Sequence, residues 1–212
     1  MCSGRVDLSF ILRAFSNGMD GVFVGGCRLR ECNYITHGNF HALSVVLMFQ
    51  KIMRHIGLNP ERLRIQFLSS GEGILLTEVI NDFCRSIREI GPFGKSEGLN
   101  ENGLKLKLAA VSQLIPYLKL VERERLRLPF NTEEEYNRFF AGEELTRLFE
   151  ELVFEKLAVS EITLLLKDNP LSTAEIAKAL DLNPSEVSKH LNISSRHGLV
   201  RYDEGLKRYA LA

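Results

Sequence analysis

The chain has 212 residues, 27 Lys and Arg against 27 Asp and Glu, four Cys and no Trp, and 45% of it is hydrophobic. That length suits one large domain or two small ones, with core enough to fold without disulfides. A formal charge of zero excludes a strongly basic nucleic-acid binder and an acidic tail protein as whole-chain descriptions. No run of eighteen uncharged apolar residues is present, which excludes a transmembrane helix. Arg5, Asp7 and Arg13 interrupt the first residues, which lack the apolar run and cleavage site of a leader. A cytoplasmic protein is expected, and its four Cys read as thiols or metal ligands rather than a disulfide framework.

Residues 1–94 read as α/β. Leu8, Ile11, Leu12 and Phe15 have helical spacing, and Asn17-Gly18 stops that helix. Gly21-Val-Phe-Val-Gly25 is a short apolar run, the mark of a buried strand. A second helix is predicted from about Phe40 to Ile56, a second strand over Arg64 to Ser69, and a third helix from Gly71 to Ile90, ended by Gly91-Pro92. The alternation implies a parallel sheet with right-handed crossovers, although two strands make an incomplete one.

Residues 95–154 read as an α-helical connector. Gly94 to Gly103 is glycine-rich and is expected to be a flexible joint. Leu104 to Leu128 is a long helical pattern that Pro116 should kink or break. Thr132 and Glu135 fit a capping box, and Glu143 to about Asp168 is helical again. The segment is either a solvated connector or a helix that docks a partner.

Residues 155–212 carry the pattern of a winged helix-turn-helix. Ser172 and Glu175 cap a helix lined by Ile176, Ala177 and Leu180. Asp181-Leu-Asn-Pro184 turns into a second helix with Val187 and Leu191 on one face. Gly198 to Tyr202 and Arg208 to Leu211 form a hairpin. In the second helix Ser185, Glu186, Ser188, Lys189, Asn192 and Arg196 are candidates to meet DNA: Asn and Arg can read base edges, Lys and Ser can hold phosphate. Arg201, Lys207 and Arg208 add to it from the wing. With charges balanced over this stretch, duplex affinity needs a local patch. A protein-docking or dimerisation unit is the competing reading.

Cys27 and Cys32 form a Cys-x4-Cys pair just after the first strand, at the carboxyl end where parallel sheets place ligands. Cys2, beside Ser3-Gly4, would end a neighbouring strand. Two thiolates on such a loop can hold iron, and N–H groups of a glycine-rich turn can bond cluster sulfur. Arg5, Arg28 and Arg30 would offset cluster charge. A pair of ordinary thiols remains the competing reading. Cys84 lies among Val79, Ile80, Phe83 and Ile87 and is expected to be a buried structural thiol. His37, His41 and His55 are scattered and read as surface or loop histidines. No phosphate loop, dinucleotide fingerprint or hydrolase motif occurs.

Met1-Cys-Ser-Gly-Arg-Val-Asp7, Gly21-Val-Phe-Val-Gly-Gly-Cys27, Cys32-Asn-Tyr34, Ser69-Ser-Gly-Glu72 and Val79-Ile-Asn-Asp-Phe83 together resemble the delta subunit of methyl-viologen-reducing hydrogenase, the hydrogenase iron–sulfur subunit. The resemblance covers residues 1–94. It implies a [2Fe–2S] cluster held by Cys2, Cys27 and Cys32. It also implies electron transfer between a hydrogenase or other dehydrogenase and a heterodisulfide-reductase-like flavoprotein. Arg28 follows Cys27, and Glu31 and Asn33 flank Cys32, where the family carries histidines after its cysteines. The family also has a further strand and a Cys-Cys-x-x-Cys segment ahead of its Cys-Ser-Gly-Arg motif. This chain is therefore expected to be an incomplete version of its domain. An upstream in-frame UGA read as selenocysteine, a split gene or a partner would account for the rest. The competing function is a redox-responsive winged-helix transcription regulator, with Cys27 and Cys32 sensing oxidation.

Overall fold

The computed structural model describes residues 2–34 and 38–212, which fall into two compact units. The first comprises residues 1–100 and 115–147, the second 101–114 and 148–212. The helical stretch over 95–154 is thus shared out between them.

In the first unit, a 3-10 turn at Ser3–Arg5 leads to helix α1, Leu8–Ser16. Asp7 caps α1 by accepting from Ser9 N. Its apolar face, Leu8, Ile11, Leu12 and Phe15, is buried as its spacing predicts. Strand β1, Val22–Cys27, pairs in parallel with β2, Leu63–Leu68, placing Val22 opposite Leu63 and Cys27 opposite Leu68. Between them runs α2, Asn39–His55, buried on nearly every side through Phe40, Leu43, Val46, Phe49, Ile52 and Met53 among others. The core of this unit is therefore centred on a helix. Helix α3, Gly73–Ile90, follows β2, and among its residues only Phe83 is fully buried.

Two expectations need correction here. Cys84 is exposed, because a two-stranded sheet is too narrow to cover the apolar face of α3. Ile74, Leu75, Leu76 and Ile80 of that helix are also in solvent. The glycine-rich stretch after Gly91 is pinned at its start rather than loose. Arg62, wholly buried, donates to the carbonyls of Asp20 and Gly91 and pairs with Glu97 at 2.5 Å. Glu97 in turn accepts from Gly94 N, and Asp20 Oδ1 accepts from Phe93 N. Bonds of this kind to charged groups hold a loop well.

Of the kink or break expected at Pro116, the break does not occur: helix α4, Glu101–Arg125, runs through it. The two units divide along it between Leu114 and Ile115. Helix α5, Glu133–Ala141, begins with the capping box at Thr132 and Glu135. Tyr136 and Phe140 of α5 are buried in the first unit.

In the second unit, α6, Glu143–Phe149, contributes its end, followed by a π-helical turn at Glu150–Phe154 and α7, Glu155–Leu165. Helix α8, Thr173–Leu180, starts with the Ser172–Glu175 capping box and ends at Asp181, which is left-handed at φ 55°. Helix α9, Pro184–Arg196, is capped by Asn183. Strands β3, Val200–Asp203, and β4, Arg208–Leu211, pair antiparallel, with Leu171 bridging to Tyr209. Ile162, Leu166, Ile176, Leu180, Val187, Leu191 and Val200 close one core. This is a winged helix-turn-helix, and the chain as a whole is α/β followed by that module. No helix among the described residues is long and apolar enough to cross a membrane.

Candidate functional site

Three segments far apart in sequence bring their thiols together. Cys2 stands at the head of the 3-10 turn, Cys27 is the last residue of β1, and Cys32 lies in the loop between β1 and α2. Cys2 Sγ and Cys32 Sγ are 3.8 Å apart. Cys27 lies close enough to Cys32 and Cys2 for both thiols to act on its ionisation. Cys32 is buried and Cys27 is exposed, so the group runs from the interior to the surface.

N–H groups surround the sulfurs. Gly4 N donates to Cys2 Sγ at 3.4 Å. Asn39 Nδ2 donates to the carbonyls of Cys27 and Arg28, at 2.9 and 2.7 Å, and reaches Cys27 Sγ at 3.8 Å. Burial alone would raise the Cys32 thiol. The N–H groups of Tyr34 and Asn39 and the two neighbouring thiols outweigh it and hold Cys32 below the ordinary value. Burial, with Cys32 and Cys2 adding to it, pushes Cys27 up. Between these two, Cys32 is the readier thiolate.

Two glycines make the approach possible. A Cβ on Gly38 would collide with Cys32 Sγ and the Tyr34 carbonyl, and one on Gly26 would meet Ser3 Oγ at 3.0 Å. Ser3 Oγ and Asn39 Oδ1, both buried, have no hydrogen-bond partner among the described residues. Sequence reasoning missed Asn39. Its only signal is a polar residue opening an apolar helix directly after a glycine.

No group of three or more His, Cys, Asp or Glu among the described residues is arranged to hold a metal ion as it stands. The donor chemistry nonetheless fits an iron–sulfur group: soft thiols, convergent N–H donors and a side-chain-free cradle at Gly38. The arginines expected to balance cluster charge are partly committed. Arg28 pairs with Glu72, which also accepts from Ser69 N, and Arg30 Nε donates to the Asn131 carbonyl. His41 Nδ1 lies 3.0 Å from Glu122 Oε1, away from the thiols' bonding partners. His37 lies outside the described residues, and His55 is at the exposed end of α2.

In the second unit, Ser185, Lys189, Asn192 and Arg196 are exposed on α9 and Ser188 is half-buried. Lys189 Nζ is held by Glu155 at 2.6 Å. Arg208 of the wing donates to the Pro170 carbonyl and to Glu175, a structural use that takes it from the candidate nucleic-acid face.

The family model for the methyl-viologen-reducing hydrogenase delta subunit matches residues 1–91, the stretch that carries all three converging thiols. The iron-sulfur subunit of the F420-non-reducing hydrogenase of Methanopyrus kandleri is 34% identical over 91 residues, covering 43% of this chain and 68% of that protein. This chain belongs to the methyl-viologen-reducing hydrogenase delta-subunit family. The corresponding iron-sulfur protein of the F420-non-reducing hydrogenase of Archaeoglobus profundus is 45% identical over 92 residues, 43% of this chain and 66% of its own length. One polypeptide of the ferredoxin/F(420)H(2)-dependent CoB-CoM heterodisulfide reductase of Methanosarcina acetivorans is 46% identical over 94 residues, 44% of this chain and 12% of that polypeptide. The chain thus spans just under two thirds of the Archaeoglobus protein and about an eighth of the reductase polypeptide. Residues 158–202 match a second family model, bacterial regulatory protein of the arsR family.

Proposed function

We propose that this chain is a non-catalytic electron-transfer subunit in which Cys2, Cys27 and Cys32 hold a [2Fe–2S] cluster. It would relay electrons between a hydrogenase or other dehydrogenase and a heterodisulfide-reductase-like flavoprotein in the cytoplasm. The observation that carries this reading is the convergence of three thiols from three separate segments. The relatives' names, an iron-sulfur subunit of a hydrogenase and part of a heterodisulfide reductase, support it. Four cysteines, none in a disulfide, suit a reducing compartment.

When bound, such a cluster accepts and returns one electron. The chain's residues supply the setting. Cys32 is held below the ordinary thiol value, and the N–H groups of Tyr34 and Asn39 stabilise its charge. Gly4 N donates to Cys2 Sγ, and the Asn39 amide fixes the backbone on both sides of the Cys27–Arg28 peptide. Cys27 keeps one edge of the group at the surface. The Arg28–Glu72 pair ties that edge to the start of α3, where Ile74, Leu75 and Leu76 are exposed. An exposed thiol beside an apolar patch suits docking of a redox partner over a short transfer distance.

The test is anaerobic reconstitution of the full chain, with iron quantification and low-temperature EPR. Cys27→Ala and Cys32→Ala should each lose most of the bound iron and the signal, while Cys84→Ala keeps both. Equal iron retention in all three variants sinks the ligand assignment.

A redox-responsive regulator is the second reading, favoured by the regulator-family match over residues 158–202. In it α9 meets DNA through Ser185, Ser188, Lys189, Asn192 and Arg196. The Glu155–Lys189 pair counts against it, because it engages one of the few cations on that face. Lys189→Ala with Arg196→Ala should weaken duplex binding and lower the salt slope by about one to two. Absence of duplex binding by the full chain at low salt removes this reading.

A further inference from the structure

Asn39 is the first residue of α2 and is 1% exposed. Two other asparagines near helix starts are used in the ordinary way. Asn59 and Asn183 stand just ahead of helical turns, and each accepts from the N–H two residues on. Asn39 instead donates, and away from its own helix. Its Nδ2 reaches the carbonyl of Cys27 at 2.9 Å and that of Arg28 at 2.7 Å. Both partners can only accept, so the nitrogen end of the amide must face them.

Those carbonyls belong to consecutive residues. In an extended strand, successive carbonyls point to opposite sides. Here both meet one NH2 group, so the backbone has turned at the Cys27–Arg28 peptide. The amide thus holds the bend that ends β1 and starts the loop to Cys32. The Sγ of Cys27 lies 3.8 Å from the same nitrogen.

The main chain of Asn39 serves the other end of that loop. Its N–H, one of the donors that the first turn of a helix leaves without a helical partner, bonds Cys32. Gly38 permits this approach, since a Cβ there would collide with Cys32 Sγ. Cys2 joins the arrangement through Cys32, its Sγ 3.8 Å away. One buried residue therefore touches both ends of the Cys-x4-Cys loop.

We propose that Asn39 is a positioning residue for the thiol group: its amide on Cys27 and Arg28, and its main-chain N–H on Cys32, fix the spacing of the two thiols against the start of α2. The redox consequence rests on the proposed iron–sulfur role, whereas the spacing of the thiols does not. Partners one shell out from a metal's ligands orient them and tune the centre. N–H donors near cluster sulfur favour the reduced form, so loss of the amide should make the potential more negative.

The test compares Asn39→Ala, Asn39→Asp and Asn39→Ser with the parent chain. All three keep the main-chain N–H and lose the amide. Ser44→Ala is the control, because Ser44 lies on the same helix and uses its buried hydroxyl on the Leu126 carbonyl. Two readouts are taken on the full chain, with thermal unfolding to check that each variant is folded. The first, on the reduced chain without iron, is affinity for phenylarsine oxide, whose arsenic bonds two neighbouring thiols with release of water. The second, after anaerobic reconstitution, is the midpoint potential from an EPR-monitored titration.

Asn39→Ala should weaken arsenical capture by about tenfold and move the potential to more negative values. Asn39→Asp should go further, as a carboxylate facing two carbonyls repels them. Asn39→Ser, whose hydroxyl can still donate to one carbonyl, should fall between Asn39→Ala and the parent, and it decides the matter if the other two do not fold. Ser44→Ala should change only the melting temperature. If the parent takes up no iron while the Asn39 variants lose arsenical affinity, the cluster reading falls and the positioning role stands. The proposal is overturned if the folded Asn39 variants capture the arsenical as tightly as the parent, or if Ser44→Ala weakens capture as much as they do.

Discussion

In the first unit α2 is buried almost all round, yet the sheet beside it has two strands and α3 leaves Ile74, Leu75, Leu76 and Ile80 in solvent. In the second unit the apolar residues of α7, α8, α9 and β3 close over one another. The first unit thus leaves apolar surface uncovered at the end where its thiols gather. That suits a domain whose chemistry needs a partner surface. The second completes its own core.

That comparison can be broken most directly at the buried anchor of the first unit. Arg62→Ala should destabilise it by about 3–5 kcal/mol, because it strands the Glu97 carboxylate in a site with little solvent. Arg62→Ala combined with Glu97→Ala should recover part of the loss. Denaturant unfolding of single and double variants measures the coupling, and simple additivity would contradict the pairing. The core cluster of the second unit is built of apolar side chains. Its counterpart is Leu191→Ala, which removes a fully buried side chain and should cost about 2–5 kcal/mol. Faster hydrogen exchange within α8 and α9 would report it.

A smaller effect sharpens the contrast at a helix cap. Ser172→Ala removes one half of the capping box of α8 and should cost about 1 kcal/mol. A thermal shift near zero would show that Glu175 or water substitutes for the hydroxyl. The smallest effects are the pH dependences, which should have opposite signs. In the first unit Asp7 is held below its ordinary value. Burial opposes this, but bonds from Lys119 and from the Ser9 hydroxyl and N–H outweigh it. Its contribution is present above the ordinary carboxylate value and is lost as pH falls through the lowered one. In the second unit burial raises Glu161 despite Lys107. Its folded form resists ionisation, so stability is regained as pH falls through that raised value. Acid titration of stability should therefore be flattened at its lower end by Asp7→Asn. Glu161→Gln should gain most at neutral pH and lose that advantage on acidification. A shift of the same sign in both variants would contradict the assignment.

Much of the local structure is legible in the chain. The spacing of Leu8, Ile11, Leu12 and Phe15 specifies α1 and its buried face, because a 3.6-residue repeat puts those residues on one side. The boxes at Thr132 and Ser172 form as their spacing predicts, since capping depends on atoms three residues apart. Cys27 is legible at the end of its strand and Cys32 in the loop after it, whereas Cys2, expected to end a neighbouring strand, heads a 3-10 turn instead. What the linear order hides involves long-range partners. The Arg62–Glu97 pair joins residues separated by 35 positions and turns a glycine-rich joint into a fixed turn. Cys84 sits in an apolar pattern, but burial depends on what covers a helix face, and two strands do not cover α3.

The sequence by itself determined the elements, their caps, the family and the residue types able to bind iron, because these depend on neighbours within a turn or a strand. Tertiary structure alone decided that Cys32 is held below the ordinary thiol value, through N–H groups of Tyr34 and Asn39 that point at it. It also decided that Lys189 is engaged by Glu155 and that Arg62 is buried against Glu97. Each of these turns on the direction of a single bond in space, set by packing between segments that the linear order leaves far apart.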